Sequence, residues 1–346
     1  MSHAASAYFP SPFDEAIILT IDGVGEWATT TCSIGKGNNI EFKKEILFPH
    51  SLGLFYSAFT YYLGFKVNSG EYKVMGLAPY GKPIYKDLIY QNLIDVKSDG
   101  SFRLNLKFFD YTTGLTMIND KFVNLFCRPR RKPESESLTQ FHMDVAASVQ
   151  AVIEEIILRL VISLKKEYQI ENLCLAGGVA LNCVANGKIM ENKIFKNVWV
   201  QPAAGDAGGS LGASLAYWYQ TLKNNRIASK NSMNGSYLGP EYSNQDIKSF
   251  LIQNDYIFQE FEEDNMLNLI AKHLSEGKII GWFQGKMEFG PRSLGNRSII
   301  ADPRPSEMQK KVNLKIKYRE SFRPFAPSIL YERLNDFFEL DCESPY

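Results

Sequence analysis

The sequence of 346 residues lacks an excess of charge of either sign, and it lacks a long hydrophobic run. Lysine and arginine number 38 and so do aspartate and glutamate, which gives a formal net charge of +0 at pH 7. A neutral chain has no global attraction for nucleic acid or for an acidic membrane surface. No segment approaches the roughly 18 apolar residues of a membrane span, and the N-terminus has no basic segment followed by an apolar one. We therefore expect neither a membrane nor a nucleic acid as a partner.

Cysteine is scarce and unpaired in sequence. An odd set without a CxxC pair argues against both a disulfide framework and a zinc knuckle. This pattern favours a reducing compartment, and we expect a cytoplasmic protein. The five cysteines are Cys32, Cys127, Cys174, Cys183 and Cys342.

The length exceeds what one hydrophobic core usually organises, so two domains are expected. Hydrophobic residues make up 45% of the chain, an ample supply for two cores. Asparagine, serine and lysine are concentrated in the stretch before residue 245, which indicates a boundary. We predict a first domain over 1–225, a linker over 226–245 and a second domain over 246–346.

The alternation of apolar, glycine-rich and periodic segments predicts an α/β fold. The apolar run 16–21, the turn 22–25 and the β-branched stretch 29–34 are typical of a β-hairpin. Apolar residues recur at intervals of three and four residues over 144–165, which predicts an amphipathic helix. The basic, proline-bracketed stretch 127–133 is expected to be an exposed loop.

Two strand–glycine–helix units follow in tandem. Residues 173–176 form a short apolar run that leads into Gly177 and Gly178, and residues 198–200 lead into the glycines of 205–209. Glycines after a strand allow backbone N–H groups to approach a phosphate at a helix N-terminus. Tight strand–helix crossings also need glycine, so an ordinary packing role is the alternative for each pair.

Two aspartates and one histidine stand out as candidate metal ligands. Asp206 is expected at the mouth of the sheet, where an unpaired carboxylate would be costly without a cation or water. Asp22 occupies the corresponding tip of the hairpin, although a simple turn-forming role is the alternative. Together with His3 they would form a site suited to Fe(II), Mn(II) or Mg(II).

The segment from Lys286 to Arg323 is rich in basic residues. It holds ten lysines or arginines against four acidic residues, a net of +6 in a neutral chain. Glycines and prolines interrupt the basic residues, which suits a fold around a small anion such as phosphate. A solvated basic face or an RNA-binding patch is the alternative, but the aromatic platform expected for single strands is not evident.

Five ordered motifs together resemble the NodU/CmcH-type O-carbamoyltransferases. This resemblance implies an actin-like ATPase domain (ASKHA, Kae-like) followed by an α+β YrdC-like domain. It also implies that the chain is cut short at both ends, with one further ligand histidine before Met1, so we expect little activity from the chain alone. The motifs are SHAASA at 2–7, TIDGVGE at 20–26, YKVMGLAPYG at 72–81, GGVALN at 177–182 and GDAG at 205–208.

The resemblance assigns roles to residues of this chain. The divalent metal, expected to be Fe(II) with Mn or Mg as alternatives, would be held by His3, Asp22 and Asp206. Catalytic roles fall on Asp22, Asp206 and Lys286, where the family usually has arginine in place of Lys286. ATP would be bound by Gly23, Val24, Gly177, Gly178, Asn182, Gly205 and Gly208. The substrate-binding set is Glu71, Lys73, Lys286, Arg292, Arg297, Lys311 and Arg319.

The implied reaction uses carbamoyl phosphate and ATP. Carbamate would be joined to AMP, and the carbamoyl group would then pass from carbamoyl adenylate to a hydroxyl of a sugar or sugar-bearing metabolite. An actin-fold sugar kinase is one alternative, since such kinases share glycine-rich phosphate loops. A non-catalytic relic, or a subunit that is completed by the missing segments on a separate chain, is the other.

Overall fold

The computed structural model describes residues 1–340 and divides into two compact units. The first extends from Met1 to Ser232, and the second begins at Met233. Two residues of the range 226–245 make contacts within their own unit. Arg226 donates hydrogen bonds to backbone carbonyls of the first unit, and the Ser236 hydroxyl donates to the Phe289 carbonyl of the second at 2.5 Å.

A five-stranded mixed sheet in the order β3-β2-β1-β6-β7 forms the centre of the first unit. Strands β1 and β2 pair antiparallel, which confirms the predicted hairpin, while β1, β6 and β7 run parallel. The apolar side chains of β1 are almost completely buried because helices cover this part of the sheet. A separate two-stranded ribbon pairs β4 with β5. The strands are β1 (Glu15–Ile21), β2 (Ala28–Lys36), β3 (Asn39–Leu47), β4 (Ile94–Val96), β5 (Phe102–Leu104), β6 (Asn172–Ala176) and β7 (Asn197–Val200).

The longest helix of the first unit is the one predicted from apolar periodicity. It has an N-terminal capping box, in which Thr139 and His142 exchange hydrogen bonds, and one continuous apolar face is buried. None of the helices within residues 1–340 combines the length and the apolar character that a membrane crossing requires. The helices of this unit are α1 (Ser2–Tyr8), α2 (Leu52–Tyr62), α3 (Glu71–Leu77), α4 (Lys86–Asn92), α5 (Asp120–Leu125), α6 (Gln140–Tyr168), α7 (Cys183–Glu191) and α8 (Gly209–Ala216).

Helix α1 is short, yet it is tightly fixed in the first unit. Tyr8 is completely buried, and its hydroxyl donates to the carbonyls of Asp14 and Gly37. Arg226 donates to the backbone carbonyls of Tyr8, Phe9, Ser11 and Phe13, and its guanidinium lies 4.4 Å from the centre of the Tyr8 ring. These contacts satisfy carbonyls that a helix end leaves without partners.

The basic stretch 127–133 differs from the exposed loop that the sequence predicts. Arg131 is only 6% exposed, and its guanidinium donates to the carbonyls of Leu63 and Glu136. The Arg130 guanidinium stacks over the Tyr61 ring at 4.0 Å. The prediction is therefore wrong for Arg131, because the end of α2 offers free carbonyls and an aromatic surface that the sequence pattern does not reveal.

The second unit contains a two-stranded antiparallel sheet and several helices. Among its described residues, the buried hydrophobic side chains are Met233, Met308 and Val312. Large apolar residues such as Ile257 and Leu330 are exposed there. The elements are α9 (Asn244–Gln253), α10 (Glu263–Ser275), β8 (Ile280–Phe283), β9 (Arg297–Ile300), α11 (Met308–Lys315) and α12 (Leu334–Phe337).

Candidate metal centre

The three parallel strands of the first unit end at one edge of its sheet. Asp22 follows β1, Gly177 and Gly178 follow β6, and the loop that carries Asp206 follows β7. The carboxyl edge of an open α/β sheet is where such folds usually bind their ligands. Helix α1 reaches the same edge from the N-terminus and brings His3 there.

Asp22 is held in place through its backbone and its side chain. Its N–H donates to the Thr29 carbonyl at 2.9 Å, and its own carbonyl accepts the Ser51 hydroxyl at 3.0 Å. Burial disfavours the charged carboxylate, but the hydrogen bonds from His3 Nε2 and the Gly178 N–H outweigh this effect and lower its pKa. Asp22 is therefore ionised near neutral pH and presents a negative charge at the sheet edge.

His3 lies between the two carboxylates. Its Nε2 is 2.8 Å from Oδ2 of Asp22 and 3.8 Å from Oδ1 of Asp206. Its Nδ1 is buried and has no hydrogen-bond partner in the described part of the chain. With a cation on Nε2 the ring proton would move to Nδ1, so the ligating nitrogen is the one that faces both acids.

The donor atoms of the three residues lie close enough to hold one ion. One ligand atom of each lies within 4.8 Å of the others, and the Asp206 carboxylate is almost fully exposed and free to rotate. An ion about 2.0–2.3 Å from each donor would draw these atoms slightly together. One imidazole and two carboxylates form a donor set that suits Fe(II) or Mn(II). The predicted convergence of His3, Asp22 and Asp206 is confirmed, and the donor set fits a divalent ion.

The glycines of the predicted nucleotide set line the same edge, and two of them have steric reasons to be glycine. Gly177 has φ +88°, and a Cβ there would lie 2.3 Å from the Ile21 carbonyl oxygen. A Cβ on Gly208 would lie 2.2 Å from the Ala203 carbonyl oxygen. Gly23 and Val24 belong to the turn beside Asp22, whereas a Cβ on Gly205 would meet nothing within 4 Å.

The Asn182 side chain is engaged inside the protein. Its amide exchanges hydrogen bonds with that of Gln150 at 3.0 and 3.1 Å, and its Oδ1 also accepts the Ala185 N–H as the N-cap of α7. The Tyr56 hydroxyl and Glu154 bind the same glutamine. This buried network holds the loop between β6 and α7, so the Asn182 side chain stabilises that loop.

Glu71 and Lys73, predicted to bind substrate, lie on α3. The Glu71 carboxylate accepts from the Ser57 hydroxyl and from the N–H groups of Asn68 and Gly70, all within 3.1 Å. The Lys73 ammonium lies 5.6 Å from the centre of the Phe65 ring. The hydrogen bonds of the Glu71 carboxylate hold the start of α3 in place, so this side chain stabilises the fold.

The predicted anion-binding residues belong to the second unit. The Arg297 guanidinium donates to the carbonyls of Gln284 and Gly285 and lies 3.5 Å from the Phe283 ring centre. Lys311 donates to the Gly277 carbonyl, and Arg319 donates to the Asn313 side chain. Lys286 and Arg292 are exposed. The charged groups of Arg297, Lys311 and Arg319 are thus engaged with the protein itself.

Three buried polar residues, two in the first unit and one in the second, were not predicted from the sequence. Gln201 and Gln150 are buried amides that join elements distant in sequence. Glu288 is 7% exposed, and one of its carboxylate oxygens accepts the N–H groups of Leu294, Asn296 and Arg297. A polar residue near an apolar strand is the available signal for Gln201, and no spacing rule reveals its partner.

Comparison with known proteins identifies the family. A family model described as carbamoyltransferase N-terminus matches residues 1–215, and one described as carbamoyltransferase C-terminus matches residues 271–346. An uncharacterized protein of Synechocystis is 60% identical over 100% of this chain and 56% of its own length. Nodulation protein NolNO of Sinorhizobium fredii is 39% identical over 98% of this chain and 48% of its own length. Nodulation protein NolO of Bradyrhizobium diazoefficiens is 38% identical over 98% and 59%, respectively.

The chain thus spans about half the length of the curated relatives it matches. The first family match lies within the first unit and contains His3, Asp22 and Asp206, and the second match lies within the second unit. The chain belongs to the carbamoyltransferase family.

Proposed function

We propose that the chain contributes to an O-carbamoyltransferase that uses carbamoyl phosphate and ATP. In this proposal carbamoyl phosphate is broken down to carbamate and phosphate, and carbamate displaces pyrophosphate from ATP to form carbamoyl adenylate. The carbamoyl group then passes to a hydroxyl of a sugar or sugar-bearing metabolite, and AMP is released. The first unit would correspond to the actin-like, Kae-like domain expected over 1–225. The second would be part of the YrdC-like domain expected over 246–346.

The observation that carries the proposal is the meeting of His3, Asp22 and Asp206 at one sheet edge. Their donor atoms lie within 4.8 Å of one another although the residues are far apart in sequence. A divalent ion bound there would supply positive charge that polarises a carbonyl or phosphoryl oxygen. Family membership supports carbamoyl transfer as the reaction, and the glycine-lined edge supports a phosphate-bearing co-substrate.

The residues around the centre have distinct tasks in this proposal. Asp22 accepts the Gly178 N–H and its lowered pKa keeps it ionised, so it presents a fixed negative charge to an ion that His3 Nε2 would also bind. Asp206 is exposed and can rotate toward a ligand that enters from solvent. The backbone at Gly23 and at Gly205 is open, since a Cβ on either would meet nothing within 4 Å, and in this proposal the nucleotide phosphates lie beside these two glycines. A divalent ion held by these residues would stabilise the negative charge that develops on a carbonyl or phosphoryl oxygen.

In the second unit, Lys286 and Arg292 support the binding of carbamoyl phosphate. Both are exposed on the glycine-rich loop whose shape Glu288 sets by accepting three backbone N–H groups. Charge-assisted hydrogen bonds to phosphate are among the strongest that side chains form. Arg292, Arg297, Lys311 and Arg319 each have an interaction within the protein, so each would exchange it for a contact with the phosphate.

A transfer assay tests the proposal. The purified chain and its 60% identical Synechocystis relative are incubated with ATP, carbamoyl phosphate, a divalent metal and a panel of sugars. We expect the relative to form AMP and pyrophosphate, together with an acceptor heavier by one carbamoyl group, and we expect the chain alone to form little of this product. The product should be lost when the aspartate of the relative that corresponds to Asp22 is replaced by asparagine. ADP with a phosphorylated sugar, formed without carbamoyl phosphate, would contradict the proposal and indicate a kinase.

A further inference from the structure

Gln201 lies between the two segments that carry His3 and Asp206. It follows β7 directly and is completely buried, with 0% of its surface exposed. Its Nε2 donates to the Ser6 carbonyl of α1, and its Oε1 accepts the N–H of Ala203 at 3.1 Å. One side chain thus bridges the helix that holds His3 and the loop that leads to Asp206.

The two residues that the Gln201 side chain contacts, Ser6 and Ala203, each lie within three residues of a proposed metal ligand. The Ser6 hydroxyl donates to the His3 carbonyl at 2.8 Å, so Ser6 is fixed to the turn of α1 that carries the imidazole. Ala203 precedes Asp206 by three residues, and its carbonyl lies against Gly208 on the other side of that aspartate. The backbone N–H of Gln201 is itself anchored to the Leu175 carbonyl of β6 at 3.1 Å.

We propose that Gln201 is a positioning residue of the metal centre. It fixes the separation between His3 and Asp206 by tying their two backbones to one buried amide. The inference rests on the metal binding in the proposed function, and it adds a residue that does not itself touch the ion. The simpler alternative is that Gln201 only satisfies two backbone groups, in which case its loss would lower stability without a specific effect on the metal.

The test measures Mn(II) affinity of the whole chain by calorimetry, with electron paramagnetic resonance to follow the bound ion. Gln201→Met keeps the length of the side chain and removes both hydrogen bonds. Gln201→Asn keeps an amide that is too short to reach both partners. Mutation of a residue that holds metal ligands in place without touching the metal typically lowers metal affinity about 10–100-fold. We therefore expect each variant to bind Mn(II) about tenfold more weakly.

A double-mutant cycle separates positioning from general loss of stability. In an Asp206→Asn background, Gln201→Met should have almost no further effect on Mn(II) affinity, because the ligand that it positions is already lost. Tyr8→Phe is the matched control, since it removes buried hydrogen bonds of α1 at the end away from His3. It should lower the melting temperature and leave Mn(II) affinity unchanged.

The wild-type chain gives an independent measurement. Zn(II) or Mg(II) binding should slow hydrogen exchange at the Ala203 N–H, which the Gln201 side chain accepts. Wild-type Mn(II) affinity in the Gln201 variants, an equal Gln201→Met effect with and without Asp206, or unchanged exchange at Ala203 would each overturn the inference. Failure of carbamoyl transfer by the Synechocystis relative, with intact Mn(II) binding, would overturn the proposed function alone, whereas a wild-type chain that binds no Mn(II) would overturn both.

Discussion

At the scale of single residues, Glu288 shows how one buried carboxylate can shape a loop of predicted anion binders. Burial opposes its ionisation, but the N–H groups of Leu294, Asn296 and Arg297 lie within 3.1 Å of Oε1 and lower its pKa. Backbone N–H groups that converge in this way commonly bind anions, and here the anion is the Glu288 carboxylate of the protein itself. The loop is therefore organised before any phosphate arrives.

This arrangement predicts a pH dependence in the loop. The folded-state pKa of Glu288 lies below its ordinary value of 4.5, so its stabilisation is complete above that pH and is lost as the pH falls through the lower folded value. At neutral pH, Glu288→Gln should weaken the loop by about 1.5–3 kcal/mol at most, since bonds to a charged group are lost. Hydrogen exchange at the three amides should speed up, and Glu307→Gln, an exposed control in the same unit, should leave it unchanged.

The same residues show what the sequence could and could not predict about the sites. Asp22 and Asp206 follow apolar runs and precede glycines, and strand ends of this type converge in an α/β sheet, so their meeting was predictable. The engagement of Arg297 and Lys311 with backbone carbonyls was not predictable, because a count of charges says nothing about where each head group points. Gln201 was missed for the same reason.

At the scale of elements, the crossing of α1 and α8 sets how close His3 comes to Asp206. A Cβ on Gly212 would lie 1.9 Å from the Ser2 carbonyl oxygen, so α1 passes directly over this glycine. Glycine is required at this position because of close approach between two backbones. The glycine in α8 therefore lets the two helices pack more closely than any other residue would allow.

Gly212→Ala should push α1 away from α8 and move His3 from its place. We expect the free energy of unfolding to fall by about 1–3 kcal/mol, the usual cost of overpacking, and Mn(II) affinity to fall with it. The control is Gly187→Ala in α7, where a Cβ meets nothing within 4 Å and the gain in helix propensity should raise stability by up to about 1 kcal/mol. Chemical denaturation and calorimetry measure both effects, and unchanged Mn(II) affinity in Gly212→Ala would show that the crossing does not control the site.

The sequence pattern predicts some of the helices and strands but not others. The hairpin, the long helix α6 and the two strand–glycine–helix units were predictable from period and from glycine position. Strand β3 was not, because seven of its nine residues are exposed and its pattern of mixed charge resembles a surface loop. The burial of Arg131 was also hidden, since it depends on carbonyls at the end of α2.

At the scale of the whole molecule, the two units differ in how much apolar surface they bury. The first has a continuous core on both sides of β1, whereas the described part of the second buries few large apolar side chains. Regions with few buried apolar contacts open more readily. We expect hydrogen exchange to be slowest in β1 and β6 and markedly faster in α9 and α10, and equal protection of the two units would contradict this view of their cores.

The most direct test of the central claim is an anomalous diffraction experiment on crystals soaked in Mn(II). The account predicts one strong peak at the carboxyl edge of the sheet, about 2.0–2.3 Å from His3 Nε2 and from one oxygen each of Asp22 and Asp206. The peak should disappear in crystals of Asp22→Asn. A manganese ion bound elsewhere in the first unit, with no density between these three residues, would contradict the account.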